Sequence, residues 1–172
     1  MGRENLPSMK TLLVLRHAKS LWGNTAQDDH ERPLNERGRR DGPRMGAVVR
    51  ECGLTPDLIV SSDAVRARLT AEAVAKSARF DGEIQLEPRL YAASVEDILA
   101  VLRTVQEAHS GTVMIVGHNP GLEQLIAHLT GEQEDLPTAG LAHIALPIDR
   151  WRDLKKSTRG TLLGFWRPKE LG

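Results

Sequence analysis

Two stretches decide how this chain folds: Thr11-Leu12-Leu13-Val14-Leu15, which runs straight into Arg16-His17, and Thr112-Val113-Met114-Ile115-Val116, which runs into Gly117-His118. Each is apolar after its threonine and too short for a helix, and each ends abruptly in polar residues. That pattern predicts a strand buried on both faces that delivers a histidine at its C-terminal end. Asp57 to Ser61, followed by Ser62, reads as a third buried strand, and Ile84 to Leu86 as a shorter fourth. Strand ends in open α/β sheets are where ligands bind, so these ends are expected to face one crevice.

Helical signals separate the strands. Asn35 caps a helix whose Met45, Val48, Val49 and Cys52 recur at i, i+3, i+4 and i+7, with Gly53 as its stop and Pro56 beyond. That spacing places Cys52 on the packed apolar face. Ser62 or Asp63 is expected to cap a helix to about Ser77, and Ser94 with Asp97 forms a capping box before Ile98, Val101, Leu102 and Val105. Asn119-Pro120 reads as cap and first-turn proline of a helix to about Thr130. Gly140 to Leu146 and Thr161 to Arg167 are later strands nearer the sheet edge. Strands and helices alternating at this spacing predict an α/β fold, a three-layer α/β/α sandwich with a mostly parallel central sheet. Residues 9–172 form one domain in this reading, and residues 1–8 form an N-terminal extension.

Composition narrows the function. Basic and acidic residues balance at 23 each, so no global field recruits nucleic acid or an anionic membrane, and any affinity for anions must be local. The apolar runs fall far short of the ~20 residues a membrane helix needs, and the N-terminus has no apolar signal core. A cytoplasmic protein is expected. The single cysteine excludes an intramolecular disulfide framework and a thiolate metal cluster. There is no His-x-His, no His-Glu-x-x-His and no clustered Asp pair, so neither metal nor other cofactor is expected.

The chemistry gathers around the two strand-end histidines. Arg16 adjoins His17, Arg66 lies one turn into the helix after the third strand, and Arg32 sits on the loop of residues 22–33 that overhangs the first. Planar guanidiniums suit phosphoryl oxygens, and helix N-termini reinforce them. Lys19 and Ser20 stand close enough to line the pocket mouth, and Trp22 on the loop could contact substrate. Trp151 and Trp166 read as packing, and His30, His109, His128 and His143 as structural.

Four segments together carry a family resemblance: Leu15-Arg16-His17-Ala18-Lys19-Ser20, Arg32-Pro33-Leu34-Asn35-Glu36-Arg37-Gly38, Ser61-Ser62 through Arg66-Ala67 to Thr70-Ala71, and Gly117-His118-Asn119-Pro120-Gly121. In this order and spacing the chain resembles the histidine phosphatase superfamily, with its phosphoglycerate mutase-like fold, and within it the small branch of SixA-like phosphohistidine phosphatases. The resemblance spans almost the whole chain from Met9. It implies that His17 is the nucleophile, that Arg16, Arg32 and Arg66 bind the phosphoryl oxygens, and that His118 completes the pocket. Ala18 stands where the family usually has glycine, and Leu69 where glutamine is common.

A histidine nucleophile needs a neutral ring with one nitrogen fixed as a donor, so His17 is expected to lose activity as pH falls. Candidates for a general acid are Asp29 and Glu31, beside Arg32, and Glu87, before Arg89-Leu90-Tyr91; each also reads as a surface charge or an ion-pair partner of Arg32. A phosphohistidine substrate needs only a weak acid, because imidazole protonates readily on leaving. The expected partner is therefore a histidine-phosphorylated protein. A small phosphorylated metabolite, or a phosphate-recognising adaptor without turnover, remains the alternative.

Overall fold

The computed structural model describes residues 9–22, 28–109 and 111–171, with the side chain of His109 left out. The extension of residues 1–8 and the centre of the overhanging loop, residues 23–27, lie outside that set. Six strands form one sheet: β1 (Lys10–Arg16), β2 (Leu58–Ser61), β3 (Ile84–Leu86), β4 (Thr112–Gly117), β5 (Leu141–Leu146) and β6 (Thr161–Trp166), in the order β3-β2-β4-β1-β5-β6. The first four are mutually parallel, whereas β5 and β6 join antiparallel, so the sheet is mixed but mostly parallel.

Side chains alternate across a strand, and β1 shows both consequences. Leu12 and Val14 enter a core with Val113, Ile115, Ile98, Leu102 and Leu125, under α3 (Val95–Arg103) and α4 (Gly121–Thr130). Leu13 and Leu15 enter the opposite core with Met114, Val116, Met45 and Val74, under α1 (Glu36–Glu51) and α2 (Val65–Ser77). Trp151 is fully buried in the first core and Trp166 packs against the second.

The helix signals hold with three changes. Asn35 accepts the Gly38 N–H, and Ser94 and Asp97 form a reciprocal box. Cys52, however, is exposed: α1 ends at Glu51, and Cys52 sits in the cap before Gly53, whose φ of +67° turns the chain away. The cap of α2 is Ala64, which lends no side chain, while Ser62 Oγ accepts its N–H. Pro120 occupies the cap position of α4, so the Asn119 amide is free to bond Glu123 Oε1 and the Leu136 carbonyl instead.

Candidate active site

The pairing of β1 with β4 places the two histidines. Arg16 lies opposite Gly117, and the His17 N–H donates to the Gly117 carbonyl at 3.0 Å. His17 and His118 therefore leave the sheet side by side, with ring centroids 5.2 Å apart. β2 adds its end one strand over: the Ser62 N–H donates to the Val116 carbonyl, which brings Ser62 Oγ within 2.8 Å of His118 Nε2.

Local contacts hold the segment after β1 rigid. The Ala18 N–H donates to Thr70 Oγ1 at 2.9 Å, and the Thr70 hydroxyl donates in turn to the Arg66 carbonyl, so α2 and the histidine segment share a strut. α1 presses on the same segment at Gly38, where any Cβ would collide with the Lys19 carbonyl.

His17 Nδ1 lies 2.8 Å from the Ala18 carbonyl. A carbonyl can only accept, so Nδ1 carries the proton and Nε2 holds the lone pair. Nε2 has no hydrogen-bond partner among the described residues. Burial first, then the nearby cationic groups, pull the His17 pKa down to about 3. Burial and Arg66 pull that of His118 down to about 4. Both rings are neutral at physiological pH.

The arginines divide into an inner pair, Arg16 and Arg66, and a single outer one, Arg32. Arg16, through Nη1, donates to the Leu136 carbonyl at 3.1 Å; Arg16 Nε, Arg66 Nε and His118 Nδ1 are buried without a partner among the described residues. Arg66 also donates from Nη1 to the Asp29 carbonyl and from Nη2 to Asp29 Oδ2, at 2.6 and 2.9 Å. Arg32 sits farther out, with Nε and Nη2 on Asp29 Oδ1 and Nη1 on Ser20 Oγ and the Leu21 carbonyl. Its guanidinium also covers the Trp22 ring at 4.7 Å.

Arg16, His17, Arg66 and His118 line one pocket. Lys19, Ser20, Trp22 and Arg32 form its loop side, and Asn119 and Thr138 complete it. No carboxyl is part of that lining among the described residues. Nor, among the described residues, do three His, Cys, Asp or Glu side chains gather there as a metal-binding group.

The carboxyls read as acids take other places. Asp29 joins Arg32, Arg66 and the Tyr91 hydroxyl, which donates to Oδ2 at 2.6 Å. Those bonds, that of Tyr91 foremost, hold its pKa far below the usual carboxylate range. Glu87 is bound by the Arg89 side chain and N–H, which also lowers its pKa. It lines a separate hollow beside Leu58 and Val101. Both shifts run against holding a proton near neutrality. Glu31 is exposed beside His30.

Of the remaining histidines, His128 bonds the Lys156 carbonyl. His30, on the loop, lies 2.9 Å from Asp63 Oδ1, and its ring meets the edge of Tyr91, which in turn meets His118. Tyr91 and Thr138 escape the sequence reading as site residues. Each reaches the site from a distant part of the chain, and neither belongs to a recurring pattern.

Histidine NMR checks these electrostatics. His17 and His118 should show no titration between about pH 5 and about pH 8, because both pKa values are depressed. His30, whose pKa is raised by its hydrogen bond to Asp63, should titrate above the ordinary histidine value. The linkage has a definite sign: the unfolded chain takes up protons on these two histidines below about pH 6.5 while the folded one does not, so stability should fall as pH drops from there. A normal titration at His17 would contradict the assigned tautomer and burial.

The sequence profile of the histidine phosphatase superfamily (branch 1) matches residues 12–97, a stretch that carries His17, Arg32 and Arg66. An uncharacterized chloroplastic protein of Arabidopsis thaliana is 29% identical over 154 residues, covering 84% of this chain and 70% of its own. Among solved structures, the Agrobacterium tumefaciens protein provisionally assigned as phosphohistidine phosphatase SixA superposes with a TM-score of 0.78 at 29% identity, over 92% of this chain and 98% of its own. The Nakamurella multipartitia protein with the same provisional assignment reaches 0.82 at 25% identity, over 94% and 97%. No helix among the described residues is long and apolar enough to cross a membrane. With its matched stretch running from the His17 strand through the Arg66 helix, and a fold that superposes on these neighbours over more than 90% of its length, the chain belongs to the histidine phosphatase superfamily, branch 1.

Proposed function

We propose that the protein is a hydrolase that removes phosphoryl groups from phosphohistidine in a protein partner, through a transient phosphohistidine on His17. The observation that carries this reading is the His17 ring itself: neutral, fixed through Nδ1–H on the Ala18 carbonyl, with Nε2 unengaged in a pocket of arginines. Nε2 attacks phosphorus as the bond to the leaving group breaks, and the electron pair passes to that group. Charge on the phosphoryl oxygens is met by Arg16, Arg66 and His118, preorganised donors of the kind a loose transition state needs. Water then attacks phosphorus, inorganic phosphate departs, and His17 is regenerated. Arg32, whose donors are shared among Asp29, Ser20 and Leu21, acts from the rim and holds Asp29 in place.

The lining supports a substrate class. An alkoxide leaving group calls for a carboxylic acid at hand, and the pocket wall has none among the described residues. An imidazole leaving group takes its proton from water, so phosphohistidine is the substrate these residues suit. The provisional assignments of the two structural neighbours support the same class.

A substrate panel tests this. The kcat/KM for a synthetic phosphohistidine peptide should exceed that for sugar phosphates and nucleotides. The variant Asp29→Asn should slow p-nitrophenyl phosphate and phenyl phosphate by the same factor, because an ionised carboxylate has no proton to give. A loss confined to the poorer leaving group would make Asp29 the acid, and a preference for sugar phosphates would make the protein a small-molecule phosphomonoesterase.

A further inference from the structure

Helix α1 carries Arg37, Arg40, Asp41 and Arg44 at i, i+3, i+4 and i+7, a spacing that sets all four on one side of the helix. Asp41 is buried, and its carboxylate lies 3.7 Å from Arg37 Nε, 3.7 Å from Arg40 Nε and 3.2 Å from Arg44 Nη1. One carboxylate thus faces three guanidiniums, and this side keeps an excess of positive charge. Lys169, from the turn after β6, lines the same hollow and adds a fourth cation. Because the chain as a whole balances its charges, this is a local concentration.

The hollow continues toward the active site. It shares Arg37, Pro168 and Lys169 with a second depression that reaches Thr138, and Thr138 also lines the His17 pocket. Carboxylates occur along the way. Asp135 lines the second depression, and Arg167 there is occupied by Glu134 and Glu170. The uncompensated charge therefore lies at the end formed by Arg40, Arg44 and Lys169.

We infer that this basic face docks an acidic surface of the protein whose phosphohistidine enters the His17 pocket. The inference rests on the phosphohistidine reading above and adds the chemistry of the partner. Guanidinium forks match carboxylates, and exposed charges of this kind govern encounter and salt dependence more than tight binding. A nucleic acid is a poorer fit, since Asp41 and Asp135 interrupt the cationic run a phosphate backbone would follow.

The test uses a labelled glutamate-rich peptide, its glutamine counterpart, the same two sequences carrying one phosphohistidine, and a single-stranded oligonucleotide. The acidic peptide should bind the wild type more tightly than the neutral one. That difference should shrink about tenfold in Arg40→Gln/Lys169→Glu and between about 50 and about 300 mM salt. The acidic phosphopeptide should show the same gap in kcat/KM, with p-nitrophenyl phosphate turnover unchanged in the variant. Lys169→Glu alone, which leaves the Asp41 cluster intact, should give part of the effect and guards against misfolding of the double variant. Equal binding of the two peptides, or a gap that survives both substitutions, overturns the proposal. Tighter binding of the oligonucleotide, lost in the same variants, overturns it in favour of nucleic acid. Binding of the acidic peptide without turnover of either phosphopeptide would instead sink the phosphohistidine reading and leave the docking face standing.

Discussion

Replacing His17 by alanine is expected to lower phosphatase turnover by at least about four orders of magnitude, to the background of the buffer, because the substitution removes the covalent channel and not merely a contact. The fold should survive. Among the described residues the His17 side chain bonds only the neighbouring Ala18 carbonyl, so its loss breaks no tie between the described elements. Circular dichroism on the variant checks this, and steady-state hydrolysis of p-nitrophenyl phosphate gives the rate. Wild-type enzyme quenched in mild alkali should carry acid-labile phosphate on His17 and the variant none. A folded alanine variant with near-normal turnover would refute the nucleophile.

The second large effect is expected at Arg66. Its guanidinium is buried beside both histidines and lowers the pKa of each. Alanine there removes charge-assisted hydrogen bonds of about 1.5 to 3 kcal/mol each, and two of them correspond to a loss in kcat/KM of at least about 100-fold at 1.4 kcal/mol per factor of ten. Unlike the His17 variant, Arg66→Ala should keep measurable turnover and still form the phosphoenzyme. Arg66→Lys should recover little, since a point charge cannot reproduce the fork held by the Asp29 carbonyl and carboxylate. Kinetics on both variants decide it. Near-wild-type activity in Arg66→Lys would mean that charge alone matters.

The parts of this site that were legible in the sequence are those carried by local pattern. Two continuous apolar runs ending in histidine announce the buried strands and their ends, and a 3.6-residue spacing places Met45 and Val49 on the packed face of a helix. What local pattern cannot carry is pairing across the chain. Nothing near Tyr91 marks it as a donor to Asp29, 62 residues away. The loop at Thr138 has no motif, yet it closes the pocket because its neighbour Ala139 donates its N–H to the Arg16 and His17 carbonyls. Strand direction was equally hidden: β5 and β6 read as apolar edge segments whichever way they run. Cys52 was misplaced because the helical spacing extends on paper one residue past Glu51, where the helix ends and the chain enters its cap.

The register of β1 against β4 has a consequence for how the pocket breathes. His17 and His118 follow directly on β1 and β4, the two central strands packed between both cores, where exchange of strand amide hydrogens with solvent calls for opening on the scale of the whole fold. Asp29 and Arg32 ride on a short turn tied to the rest of the described fold chiefly through side chains, to Arg66, Tyr91, Ser20 and, by way of His30, Asp63, so local opening there costs less. The pocket thus has one wall as durable as the protein itself and one that can part on its own. A phosphorylated side chain would enter past the second while the reacting nitrogen stays fixed in the first.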